Sequence, residues 1–315
     1  MRVRTFIKER MVLLLFLAFI FIMILFKPSF VSLTNIKNVL IDASIYGVSA
    51  LAMTIAIITG AFDLSLSSNF AWAQIFFCFM LNAWGSSGLG ILGAFLAMLC
   101  TTTLIGVING LVIVLGKIPA FIATLGMSTI VKGFCLVFTS GDMIATSNTF
   151  VERMGKGTFL GISYLTYIFA AIVVVAWYVM KNTTYGRSLY ATGGNATAAA
   201  LAGINVRLCQ FSTFAILGLA AGISGAMFVC QMRAGSVLYG TDLALTCVAA
   251  TVVGGTPLTG GKGSVLRTVL GVLLIYVLYK GLAFLGLQGY YNTMIRGLVL
   301  LVVVSFDAFM TRKGR

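Results

Sequence analysis

The stretch GGTPLTGGKGS, residues 254–264, lies between an apolar run that ends at Val253 and another that begins at Val265. Its five glycines and one lysine suggest a phosphate-binding loop. Such a loop reads G-x-x-x-x-G-K-[ST], because backbone N–H groups cradle the phosphates and a hydroxyl meets magnesium. Counting back from Gly261-Lys262, the first glycine is replaced by Thr256, and the hydroxyl position is taken by Gly263. Pro257 also sits inside the loop and carries no N–H. The stretch is a glycine break between two hydrophobic segments, so the fold depends on what those segments are.

The chain of 315 residues is 60% apolar and 9% charged, with a mean hydropathy of +1.08. A water-soluble domain carries about 25% charged residues. Apolar runs of the length that crosses hydrocarbon, roughly 17–25 residues, recur along the sequence. The reading is an all-α integral membrane protein, one transmembrane domain over 1–315. About ten spans fall near 11–27, 40–58, 66–83, 90–114, 119–138, 163–180, 209–230, 242–254, 265–286 and 290–309. No small-residue cleavage site follows Met11–Phe26, so RVRTFIKER before it reads as a cytoplasmic anchor rather than the start of a signal peptide.

Of the 21 lysines and arginines, thirteen fall on the side of the N-terminus and five (Lys27, Lys37, Arg153, Lys156, Arg233) on the other. That bias places both termini inside. The net charge of +14 is gathered at the ends of apolar runs rather than on one water-facing surface, which argues against a nucleic-acid partner. Histidine is absent, which excludes imidazole acid–base chemistry and His-ligated metals. Cys78, Cys100, Cys135, Cys209, Cys230 and Cys247 form no C-x-x-C pair and read as small apolar filling; no metal or cofactor is expected. Two runs are weak spans: 242–254 is short and bracketed by Asp242 and the glycine cluster, so a re-entrant segment is an alternative there, and 40–58 holds Asp42 at one end and leads into ITGAFDLSLSS at the other.

Shifting the chain by 194 residues lays ALAMTIAIITGAFDLSLSS (50–68) on ALTCVAATVVGGTPLTGGK (244–262). Ala50/Ala244, Leu51/Leu245, Ala56/Ala250, Gly60/Gly254 and Leu64/Leu258 coincide, and Ser65 faces Thr259. Each unit is an apolar run, a glycine break and a polar cluster before another apolar run, the design of repeat-built transporters. Gly60, Asp63 and Ser65 in one break, and Gly254, Gly255, Pro257, Gly260 and Gly261 in the other, are candidate gating positions; plain cytoplasmic turns are the alternative. With ten spans the two units run the same way through the membrane.

Two hydrophilic stretches are longer than ordinary connections. Residues 139–162 fall outside and residues 181–208 inside. In the inner stretch, GGNATAAALAGI parses as a chain break at Gly193-Gly194, a helix capped by Asn195, and a stop at Gly203. A helix this short is unstable alone and must dock on something. Its small side chains permit close approach to a partner or to the protein's own inner face.

Here the sequence resembles a family. TYGRSLYATGGNATAAALAGINV (184–206) is similar to the coupling segment of permease subunits in ribose/xylose/galactose-type ABC sugar importers. The likeness continues through GTDLALTCVAATVVGGTPLTGGKGS (240–264), ITGAFDLSLSS (58–68) and KIPAFIATLGMSTIVKG (117–133), and covers roughly residues 40–309. The resemblance implies that Gly193, Gly194, Asn195, Ala198, Ala199, Ala200 and Gly203 engage a cytoplasmic ABC ATPase. It further implies a dimer with a second copy or a paralogue, a solute-binding protein received on the outer loops, and a place in the bacterial inner membrane. Ala61, Phe62 and Ser67 replace residues usual in the family's first glycine break, Ala196-Thr197 stand where many relatives carry an acid, and Arg296 lies in the last span.

A charge at the bilayer centre costs about 2.5–3.5 kcal/mol on insertion scales. Asp63 reads as a solvated cap of the following helix, with a gate as the alternative; Asp42 and Asp242 read as carboxylates at helix starts. Lys132, Lys280 and Arg296 lie toward the outer halves of their spans, where they snorkel or pair, with no partner assignable. Asn69, Gln74, Asn109, Thr124 and Ser128 are candidate pathway residues, each also suited to joining helices. The chain carries no ATP site of its own, so it reads as a transport subunit rather than an enzyme. The alternative is a secondary transporter driven by an ion gradient, suggested by Asp63, Asp242 and the repeat.

Overall fold

A computed structural model describes residues 17–85 and 87–286, with positions 291, 294, 297, 298 and 301. The N-terminal cations, most of the 290–309 span and Arg296 lie outside the described residues. The chain is a helical bundle of α1 (Leu17–Phe26), α2 (Leu33–Ile58), α3 (Leu66–Trp84), α4 (Gly88–Gly116) and α5 (Ala120–Thr139). It continues through α6 (Thr149–Lys156), α7 (Tyr164–Asn182), α8 (Thr184–Gly194), α9 (Ala196–Leu201), α10 (Val206–Met232), α11 (Leu243–Val253) and α12 (Val265–Phe284). Among the described residues six helices, α2, α4, α5, α7, α10 and α12, are long and apolar enough to cross a membrane.

That number is smaller than the ten expected, for identifiable reasons. α11 has 11 residues, about 16 Å at 1.5 Å per residue, so the 242–254 run does not cross by itself. α3 has 19 residues but begins with Leu66-Ser67-Ser68-Asn69, and its polar start lowers its hydropathy. The α2–α12 pairing fixes the directions of the central helices. Thr268 Oγ1 lies 2.8 Å from Thr54 Oγ1, and Lys280 Nζ lies 2.7 Å from Asp42, so α2 and α12 are antiparallel. Thr54 Oγ1 also lies 2.9 Å from Thr251 Oγ1, and Gly261 N–H donates to Ile58 O. α2 and α11 therefore run to the same end of the bundle, the parallel arrangement the sequence comparison suggested.

A second internal relation has the opposite sense. The same interval, 177 residues, separates the start of α3 at Leu66 from that of α11 at Leu243, and the start of α4 at Gly88 from that of α12 at Val265. α3 leads away from the end where α2 stops, whereas α11 leads toward it. Their starts meet inside the protein: the Ala244 N–H donates to Ser67 Oγ at 2.9 Å. Nearby, Ser224 Oγ of α10 donates to Ile45 O of α2 at 2.6 Å. These contacts mark a pseudo-two-fold relation between two inverted units, an arrangement known from transporters.

Close helix packing relies on small residues. On α4 a Cβ at Gly106 would stand 2.2 Å from Phe214 O, and on α10 one at Gly218 would stand 2.5 Å from Thr102 O. In lipid no hydrophobic driving force brings helices together, so such close backbone approach is how membrane helices gain contact. At the far end, β1 (Ile144–Ala145) pairs antiparallel with β4 (Ala234–Gly235), and β2 (Thr158–Phe159) with β3 (Ile162–Ser163). The 139–162 stretch is thus built from short ribbons and α6 rather than from open loop.

Candidate functional site

The 181–208 segment folds into two short helices at the end of the bundle where α2 and α11 stop. Thr183 Oγ1 accepts from Gly186 N and opens α8; Asn195 Oδ1 accepts from Ala198 N at 3.0 Å and caps α9. α9 closes as Gly203 takes φ +82°, with Gly203 N–H on Ala200 O and Ile204 N–H on Ala199 O. The cap and the stop stand where the sequence placed them. Gly193-Gly194 do not break the chain, however: they are the last two residues of α8, and the turn is made at Asn195 alone.

Gly193 is a point of contact rather than of freedom. A Cβ on it would stand 1.7 Å from Ile58 O and 2.8 Å from Gly261 N. Around it, a Cβ at Gly261 would meet Gly194 Cα at 2.6 Å, and one at Gly260 would meet Gly60 N at 3.1 Å. Gly60, Gly260 and Gly261 all carry positive φ, a conformation glycine adopts without steric cost. Tyr190 Oη donates to Gly263 O at 3.0 Å, and burial holds its phenol above the ordinary value, so it is the neutral donor. Both glycine breaks and the end of α8 therefore form one junction. The remaining break residues, Gly254, Gly255 and Pro257, belong to the tight return into α12, where a Cβ at Gly254 would meet Arg267 O at 2.7 Å.

α9 lies on the outside of this junction. Ala199 is buried and faces the protein itself, whereas Asn195, Ala198, Ala200 and Gly203 are exposed, and Leu201 is 87% exposed. Leu201 was absent from the sequence-based candidates because an apolar residue in a short helix gives no sign of which way it faces.

Asp63 is not the solvated cap expected of it. It is 3% exposed, and it accepts from Ser65 N at 2.7 Å, Ser65 Oγ at 2.6 Å and Asn109 Nδ2 at 3.3 Å. Asn109 also donates to Ser65 Oγ at 2.8 Å, so the first break is fastened to α4. Asp42 is the tenth residue of α2 rather than a helix start, and its partner is Lys280. Asp242 does occupy the start of α11.

The proposed pathway residues that make hydrogen bonds make them to other groups rather than to one another. Asn69 Nδ2 donates to Thr102 O, joining α3 to α4, and Thr124 Oγ1 donates to Ala120 O within α5. Gln74 is fully buried, with neither side-chain atom bonded to a described group. Ser128 is half-buried on α5, and Lys132 is exposed on the same helix. At the opposite end of the bundle, Glu152 bonds Lys156 at 2.6 Å and lies 3.9 Å from Arg233. The Lys156 hydrogen bond and charge hold the Glu152 carboxyl below its ordinary value.

The chain matches a family described as "Branched-chain amino acid transport system / permease component" over residues 35–304. The ribose import permease protein RbsC of Haemophilus influenzae is 35% identical over 291 residues, 91% of this chain and 89% of the relative. RbsC of Bacillus subtilis is 35% identical over 93% of this chain and 90% of its own length. The L-arabinose ABC transporter permease protein AraH of Azospirillum brasilense is 31% identical over 96% and 88%. No solved structure matches. The apolar helices agree with these matches, and the chain belongs to this family of transport-system permease components.

Proposed function

We propose that the chain is the membrane subunit of an ATP-driven importer that passes a monosaccharide, or a related small polar solute, across the bacterial inner membrane. It works as a dimer with a second copy or a paralogue. A binding protein delivers solute at the end bearing α6 and the β-ribbons, and an ABC ATPase engages the other end through α9. Ten spans with both termini inside remain the topology proposed, with α3 among them and α11 reaching across only part of the bilayer by itself. The observation that carries the reading is α9: a capped six-residue helix that buries one alanine and leaves Ala198, Ala200 and Leu201 to solvent. A helix this short is held only by what it docks on, and its outer face is suited to a cleft in a partner.

The solute class rests on relatives named for ribose and L-arabinose import; the family description names branched-chain amino acids instead. The test is co-purification of the chain with its cognate ATPase, comparing wild type with Leu201→Glu and Gly203→Trp, followed by uptake of labelled ribose, arabinose and leucine. Wild type retains the ATPase and both variants lose it, and pentose uptake requires ATP. Capture of ATPase by all three forms equally removes α9 from the interface. Uptake by the chain alone under an ion gradient gives the reading to a secondary transporter.

A further inference from the structure

The junction at Gly193 joins parts of the chain that are far apart in sequence and belong to different helices. Ile58 O, at the end of α2, accepts from Gly261 N–H at 2.8 Å and is also the atom that Gly193 approaches too closely for any Cβ. Tyr190, one turn earlier on α8, reaches Gly263 O. The contacts of Gly193 and Gly261 with Ile58 O are backbone on backbone, and the Ile58 side chain packs beside Gly263, where a Cβ would meet it at 2.7 Å. Two hydroxyls beside the junction, Thr192 Oγ1 and Thr256 Oγ1, are buried with no partner among the described groups.

We propose that α8 is the transmission element of this permease: Tyr190 and the Gly193-Gly194 backbone clamp the end of α2 and the 254–264 turn into one body. A displacement of α9 by its partner then moves the ends of α2, α11 and α12 together. Because α2 belongs to one inverted unit and α11 and α12 to the other, a single push reaches both units. Tyr190 is a positioning residue in this scheme and touches no solute. The inference rests on the reading of α9 as the ATPase contact.

The test is hydrogen–deuterium exchange on the assembled permease–ATPase complex, with and without a non-hydrolysable ATP analogue, for wild type and Tyr190→Phe. In wild type the analogue changes exchange in peptides covering 184–203 and also in those covering 55–64 and 254–264. In Tyr190→Phe the change in 184–203 persists, while that in the two break peptides falls about fivefold, the weight of one hydrogen bond of about 1 kcal/mol. A wild-type response confined to 184–203, or a full response at the breaks in Tyr190→Phe, overturns the proposal and leaves the coupling reading intact. Absence of any response at 184–203 in a wild-type complex, or failure of that complex to form, overturns the coupling reading itself.

Discussion

Gly193 and Gly194 are neighbours in sequence with opposite physical circumstances. A methyl on Gly193 would strike Ile58 O, whereas one on Gly194 meets nothing within 4 Å. Gly193→Ala forces α8 away from α2 at an overpacking cost of about 1–3 kcal/mol. Gly194→Ala stays within about 0.5 kcal/mol of wild type, as open surface positions do. Thermal unfolding in detergent should therefore show a lower midpoint for the first variant and none of note for the second; equal midpoints would remove the close contact. The sequence shows both glycines alike, because the atom that separates them, Ile58 O, lies 135 positions away in the chain. What was legible at this scale was local: Asn195 as a cap and Gly203 as a stop depend on neighbours within a turn. Asp63 was misread as solvated, and Lys280 was left without a named partner, for the complementary reason, since their partners, Asn109 and Asp42, are remote.

Between elements, polar contacts bind helices that hydrophobic patterning alone leaves interchangeable. α2 carries two such fastenings to α12, the Thr54–Thr268 hydroxyl pair and the Asp42–Lys280 ion pair, one toward each end of α12. Asp42 lies about 14 Å along α2 from Leu33, and both charged side chains are largely covered, 26% and 31% exposed. Removing one partner strands the other: Asp42→Asn should cost about 1–3 kcal/mol, less than the 3–5 typical of a fully buried pair. Adding Lys280→Met should restore most of the loss. A double-mutant cycle on unfolding midpoints measures the coupling, and strictly additive effects would show that the pair does not join the helices. Most helix positions were readable from apolar runs within a few residues. The short α11 could be marked only as a doubtful span, because apolar length cannot distinguish a helix that crosses from one that starts inside the protein.

At the scale of the whole molecule, the two inverted units share a path of the backbone and very few residues. At the 177-residue interval Ser67 faces Ala244 and Asp63 faces Gly240, so no alignment of side chains reveals the relation. The 194-residue match found in the sequence has another origin: α2 and α11 both finish in glycine turns that must meet at α8. This architecture puts α9 before the start of α10 and α6 against its last turns, where Gly155 packs on Cys230 O. The 27 residues of α10 separate the two by about 40 Å, more than the thickness of the hydrocarbon core. Under the proposed topology, Phe150 on α6 and Leu201 on α9, both exposed, fall on opposite sides of the membrane. Of the described cysteines Cys100 alone is exposed, on α4, so Cys100→Ser supplies a quiet background. In that background a membrane-impermeant maleimide should label Phe150→Cys in intact spheroplasts, and should label Leu201→Cys only after the membrane is opened. Labelling of both from outside would place the two ends on one side and break the ten-crossing topology; the reverse order would invert it, and with it the assignment of α9 to a cytoplasmic ATPase.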